Sequence, residues 1–176
     1  EYAVVSYAMG GWEPPFGIEF RIDGLNAALL LLLSATALVT LVFGFASVED
    51  EIDRSKRSLF YSAFMLCFAG LSGVAITGDA FNLFVFLEIS SIGTYAIIAM
   101  GWKNDRRALT ASFNYLVMGT IGATFFVIGI GFLYMATGTL NMADMALRIA
   151  ELPGNRVVEV GFAFILVGVG LKAALF

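Results

Sequence analysis

The chain has 176 residues, 60% of them hydrophobic and 14% charged, with a net charge of −4 and no histidine. Soluble domains carry roughly a quarter charged residues, so this composition belongs to the membrane class, and its weak, dispersed acidity offers no basic patch for nucleic acid. One cysteine, Cys67, excludes an internal disulfide and a cysteine-cluster metal site, and the lack of histidine excludes imidazole ligation of zinc or haem and Ser-His or Cys-His catalysis.

Residues 1–24 combine glycines, the pair Pro14-Pro15 and alternating apolar and charged positions. This pattern predicts a loop with a short extended segment outside the bilayer, with Trp12 as an interfacial anchor. Glu1-Tyr2 lacks the basic start of a signal peptide, and the closing "VGVGLKAALF" is still apolar, so the expectation is an internal piece of a longer membrane protein.

From residue 25 onward the chain reads as an all-α polytopic membrane domain, 25–176, with five predicted spans. The first, about 25–48, holds 24 uncharged residues, enough to cross roughly 30 Å of hydrocarbon. The second and third, about 59–78 and 80–102, are separated only by Gly78-Asp79. As one helix they would reach about 66 Å, so they are expected to fold back as a tight antiparallel pair, with Gly78 as a left-handed C-cap and Asp79 as the next N-cap. The fourth is placed at about 108–136, where the glycines, including Gly119, Gly122, Gly129 and Gly131, suit close helix packing. Between it and the fifth, near 141–152, Asn141 can cap a short helix. Met142, Met145, Ile149 and Leu152 fall on one side of it, predicting an amphipathic surface helix that ends at Pro153-Gly154. The fifth span covers about 157–176.

Basic residues orient the spans. Loops 49–58 and 103–107 fall on one face and hold Arg54, Lys56, Arg57, Lys103, Arg106 and Arg107; the other face holds Arg21, Arg148 and Arg156. The positive-inside rule predicts that loops 49–58 and 103–107 are cytoplasmic, in a multi-pass protein of the cell (inner or plasma) membrane.

Two charges lie well inside the apolar segments: Glu88 and Lys172. A mid-span charge costs roughly 2.5–3.5 kcal/mol on insertion scales, so it persists only with a partner or a task. Glu88 is too short to snorkel, and at helical spacing Ser91 and Tyr95 share its face as candidate pathway lining. The plain alternatives are a neutral buried carboxyl or a static clip between helices.

The stretches "TGDAFNLFVFLEISSIGTYAII" (77–98), "FNYLVMGTIGATFFVIGIGFLYMATGTLNMADMA" (113–146) and "LVGVGLKAALF" (166–176), with the opening "GWEPPFGIEFRIDGLNA", resemble the D subunit of Mrp-type multisubunit Na+/H+ antiporters. They also resemble the antiporter-like subunits of membrane-bound hydrogenases and respiratory complex I. The pattern F-N-L-F-V-F-x-E favours the Mrp and hydrogenase branch. The resemblance implies that the five spans are helices three to seven of a subunit of about fourteen, arranged in inverted repeats. It also implies that Glu88 and Lys172 match a paired glutamate and lysine that transfer protons.

The physical logic is a switch: opposite charges about 4 Å apart attract by roughly 4 kcal/mol at an effective dielectric near 20. A lysine beside a carboxylate keeps its proton, and one left alone in a poorly hydrated surround passes it on. The expected partners are other membrane subunits, the lipid bilayer, H+ and, as a candidate, Na+; no nucleic acid, cofactor or metal site is expected. Two other readings stay open: a proton-pumping subunit of a hydrogenase or complex I-type oxidoreductase, whose redox centres sit on other subunits, and a structural module with a static ion pair.

Overall fold

The computed structural model describes residues 4–101 and 105–173. Residues 1–3 of the leading loop, residue 102 of the third expected span, Lys103 and residue 104 of the 103–107 loop, and residues 174–176 of the fifth span lie outside the described residues. A short antiparallel pair, β1 (Val5–Ala8) and β2 (Glu19–Ile22), precedes α1 (Gly24–Glu51), α2 (Arg57–Ile76), α3 (Ala80–Met100), α4 (Arg107–Thr137), α5 (Met142–Ala150) and α6 (Arg156–Lys172). Helices α1 to α4 are each long and apolar enough to cross a membrane. α6 is described over 17 residues, about 26 Å at 1.5 Å per residue. The residues group into two compact units, one of Glu1–Asp23, Ile76–Val85 and Met118–Phe176, the other of Gly24–Ala75 and Phe86–Val117.

In the second unit α1 outruns its apolar stretch by three residues, to Glu51, because its end is capped from outside. Arg57, the first residue of α2, donates from Nη2 to the Glu49 carbonyl at 2.6 Å and from Nε to the Ile52 carbonyl at 3.3 Å. Carbonyls left over at a helix C-terminus need such donors, and a cation there also suits the helix dipole. α2 and α3 then run antiparallel at very close range. A Cβ on Gly70 would stand 2.6 Å from the Ser90 nitrogen, and one on Gly93 2.8 Å from the Ala63 carbonyl oxygen, so neither position admits a side chain. No residue in the most apolar stretch of α1 is buried. A helix apolar on all sides and so largely exposed requires hydrocarbon or further protein around it.

In the first unit the chain reversal at Thr77-Gly78-Asp79 is held by its neighbours. Asp79 Oδ1 accepts from the Asn82 N–H at 2.7 Å, capping α3 as expected, while Asn82 Nδ2 donates to Thr77 Oγ1 at 3.1 Å. Gly78 differs from expectation: it is not among the left-handed glycines, which are Gly10, Gly11, Gly138 and Gly154. Its N–H donates to the Glu19 carbonyl and its own carbonyl accepts from the Met142 N–H, both at 2.8 Å. These bonds fix it as the middle rung between β2 and the start of α5, so the tertiary pairing, not a C-cap, sets its conformation.

Glu19 completes this knot. It is 9% exposed; Oε1 accepts from the Ser6 hydroxyl at 2.6 Å and Oε2 from Asn141 Nδ2 at 3.0 Å. Asn141, 4% exposed, uses its Oδ1 to cap α5 by accepting from the Ala143 and Asp144 N–H groups, each at 3.1 Å. The apolar side of α5 is turned toward protein: Met142, Met145 and Ile149 line a cavity of about 580 Å³ with Phe126 and Ile130 of α4 and Ile165 of α6. On its polar side Arg148 pairs with Asp144 at 2.9 Å and donates to the Thr137 carbonyl at 2.9 Å.

α4 and α6 cross on glycines seven residues apart. A Cβ on Gly168 would lie 2.7 Å from the Gly122 oxygen, and one on Gly129 2.7 Å from the Gly161 oxygen. Backbone thus meets backbone over two helical turns, and dispersion rather than side-chain interdigitation holds the pair. Gly131, grouped with these by sequence, meets nothing within 4 Å and takes no part in the contact.

Candidate functional site

Glu88 is the ninth residue of α3, half-buried in a helix otherwise built of apolar and hydroxyl side chains apart from Asn82 near its start. Such a helix tolerates hydroxyls because each can return its hydrogen to the preceding turn. Ser90 and Ser91 both donate to the Leu87 carbonyl, at 2.9 and 2.8 Å, and Thr94 donates to the Ser90 carbonyl at 2.9 Å. Thr94 Oγ1 also lies 3.4 Å from Cys67 Sγ of α2.

Tyr95, one turn beyond Ser91, behaves differently. Its Oη is buried without a hydrogen-bond partner of normal geometry. Ser91 on its own helix and Tyr115 on α4 are its polar neighbours, and Glu88 is near enough to act on it electrostatically. The Tyr95 and Tyr115 rings meet edge to face, centroids 5.3 Å apart and planes at 80°. One turn earlier on α4, the Ser112 hydroxyl donates to the Tyr95 carbonyl at 2.9 Å, fixing the two helices at this level. The structure therefore brings together Glu88, Ser91 and Tyr95, three of the four residues singled out from sequence, and adds Tyr115 and Ser112. The string "SFNYL" carried the signal for these two, polar groups inside an otherwise apolar span, but only packing joins them to α3.

Lys172 belongs to the other unit. It is the last residue of α6 as described, and residues 174–176 of the expected span lie outside the described residues. Its stem passes Gly122 of α4, where a Cβ would press on Leu171 Cβ at 3.1 Å and lie in ordinary contact, 3.6 Å, with Lys172 Cγ. Among the described residues no group of three or more His, Cys, Asp or Glu side chains is placed to hold a metal ion.

Outside the spans two carboxyls sit below the usual carboxylate range. Asp105 is lowered by side-chain and then backbone hydrogen bonds from Arg107, whose N–H it caps at 2.9 Å at the start of α4. Asp144 is lowered chiefly by its hydrogen bond from Arg148.

A family profile described as "NADH:quinone oxidoreductase/Mrp antiporter, TM" matches residues 77–176, which include α3 to α6. The chain is 45% identical over 170 residues to the N subunit of the NADH-quinone oxidoreductase of Desulforudis audaxviator, covering 97% of this chain and 33% of that protein. It is 36% identical over 173 residues to the D subunit of the Na(+)/H(+) antiporter of Bacillus subtilis, covering 98% of this chain and 34% of that one. A chain of the membrane-bound sulfane sulfur reductase, an archaeal respiratory membrane complex, superposes with a TM-score of 0.78 at 36% identity, over 93% of this chain and 32% of its own. The chain thus spans about a third of the length of the curated relatives it matches.

Proposed function

Because the chain belongs to the NADH:quinone oxidoreductase/Mrp antiporter transmembrane family, we propose that it is part of the ion-translocating membrane subunit of a monovalent cation/proton antiporter complex, moving protons through a Glu88–Lys172 switch. The observation that carries the reading is Glu88 itself. An acid retained mid-way along an apolar helix, on a face shared with Ser91 and Tyr95, stands against a cost of roughly 2.5–3.5 kcal/mol and needs a task to persist. Lys172, carried on α6, supplies the opposite charge. Ser91 and Tyr95 serve as lining. The kinship with the D subunit of an Na(+)/H(+) antiporter supports the antiporter form.

The test is Glu88→Gln in the intact complex, with antiport read as a cation-dependent pH change in inverted vesicles and normalised to assembled complex. Loss of transport is expected. Wild-type transport refutes the role of Glu88, and wild-type transport with both Glu88 and Lys172 neutralised supports a static clip instead.

A second reading, a redox-driven proton-pumping component of a respiratory complex, is favoured by the 45% identity to the N subunit of an NADH-quinone oxidoreductase. Co-purification separates the two. Iron–sulfur or nickel subunits in the isolated complex select the oxidoreductase, and their consistent absence beside small membrane subunits selects the antiporter.

A further inference from the structure

The hydroxyls beyond Glu88 lie in one direction along α3. Ser91 and Tyr95 follow it toward Met100 and the α3–α4 connector, and Ser112 and Tyr115 on the opening turns of α4 meet them at the same level. The other end of α3, from Ala80 to Leu87, carries one polar side chain, Asn82, and that is engaged on Thr77 at the chain reversal. Along α3 itself, among the described residues, the hydroxyl side chains therefore lie on the connector side of Glu88.

We propose that Tyr95 is the proton relay into Glu88 from the α3–α4 connector side, through Ser91, and that Tyr115 is the positioning residue that holds the Tyr95 ring. This rests on the reading of Glu88 as a proton site and adds the direction and order of transfer. A proton reaching Tyr95 Oη displaces that hydroxyl's own hydrogen to Ser91 Oγ. Ser91 in turn releases its hydrogen from the Leu87 carbonyl to the Glu88 carboxylate. One proton enters, one lands on Glu88, and both hydroxyls end neutral; rotation about their C–O bonds resets them. The buried Tyr95 Oη fits this task because it has no hydrogen-bond partner of normal geometry; Ser91, like Ser90 and Thr94, rests on a helix carbonyl and takes part by turning its hydrogen away from Leu87. Among the described residues, the titratable groups that act on it are Glu88 on the same helix and Tyr115 on α4. The T-shaped contact fixes the Tyr95 ring plane, and hence where Oη points.

The experiment measures transport by the intact complex in vesicles across a pH series, for Tyr95→Phe, Tyr115→Phe, Tyr115→Leu and Glu88→Gln. Tyr95→Phe keeps the ring and removes the hydroxyl. It is expected to slow transport on the order of tenfold or more where protons are scarce, with the deficit shrinking as pH falls and mass action compensates. Tyr115→Phe is expected to stay near wild type, and Tyr115→Leu to show a milder form of the Tyr95→Phe profile. Ser91→Ala repeats the test if Tyr95→Phe assembles poorly. An inactive Glu88→Gln beside a Tyr95→Phe of wild-type rate and profile overturns the relay alone, as does a loss in Tyr95→Phe independent of pH. A fully active Glu88→Gln overturns both the relay and the proton role of Glu88.

Discussion

Glu19 is the residue whose replacement most directly tests how the extramembrane knot is held. Its two carboxylate oxygens accept from Ser6 at 2.6 Å and from Asn141 at 3.0 Å. Glu19→Leu removes both acceptors, but with unequal consequences. Ser6 is exposed and turns to water at little cost, while Asn141, 4% exposed, is left with a stranded Nδ2. A buried donor without a partner costs about 1–3 kcal/mol. Asn141 cannot turn to recover the bond, because its Oδ1 already serves the Ala143 and Asp144 N–H groups at 3.1 Å. Loss of the Glu19 bond should therefore appear as fraying of the first turn of α5. At about 1.4 kcal/mol per tenfold, exchange of those two amides should accelerate roughly 5- to 150-fold in hydrogen-exchange mass spectrometry. Glu19→Gln is the control: its carbonyl can face Asn141 and its NH2 can face a rotated Ser6 hydroxyl, so the effect should stay within about 1 kcal/mol. The Gly78 N–H bond to the Glu19 main-chain carbonyl survives both substitutions, which keeps the hairpin docked. Unchanged exchange at 143 and 144 in Glu19→Leu, or equal damage from Glu19→Gln, would refute the reasoning.

Gly168→Ala should destabilise the α4–α6 crossing by about 1–3 kcal/mol, since its Cβ would press on backbone at Gly122 (2.7 Å) and Phe126 (2.8 Å). Gly131→Ala, with nothing within 4 Å, should stay within about 0.5 kcal/mol, and thermal melting of the solubilised complex compares the two. For Asp144 the folded-state acidity is stronger than usual because of Arg148, so its contribution to α5 is complete above the ordinary carboxyl value of about 3.9 and fades as pH falls through the lower folded value. α5 amide exchange, corrected for its intrinsic pH dependence, should therefore rise on acidification from about pH 5 downward, and Asp144→Asn should abolish that rise.

The spans were legible in the sequence because hydropathy and length are properties of each segment taken alone. Expected limits of 25–48, 59–78, 80–102 and 108–136 stand beside α1 to α4 within a few residues, and Asp79 caps α3 as its position before an apolar run predicts. Glu88 stood out for the same reason: a carboxylate in hydrocarbon is anomalous whatever surrounds it. The misreadings all concern features that need a second element. α1 reaches Glu51 because Arg57 comes back to its carbonyls. Gly78 is fixed by β2 and α5 rather than by its own turn, and Gly122 and Gly129 differ from Gly131 only in facing Gly168 and Gly161.

The sequence by itself determined a membrane chain, the number and rough limits of its helices, and one acid and one lysine that demand explanation, because the cost of charge and the gain of apolar length are local. Only the tertiary structure decided that Glu19 closes a knot with Asn141, that Tyr115 stands against Tyr95, and that α5 turns its methionines onto protein. Hydrogen bonds and ring contacts between residues tens of positions apart depend on which faces meet, and no local pattern of hydropathy encodes that.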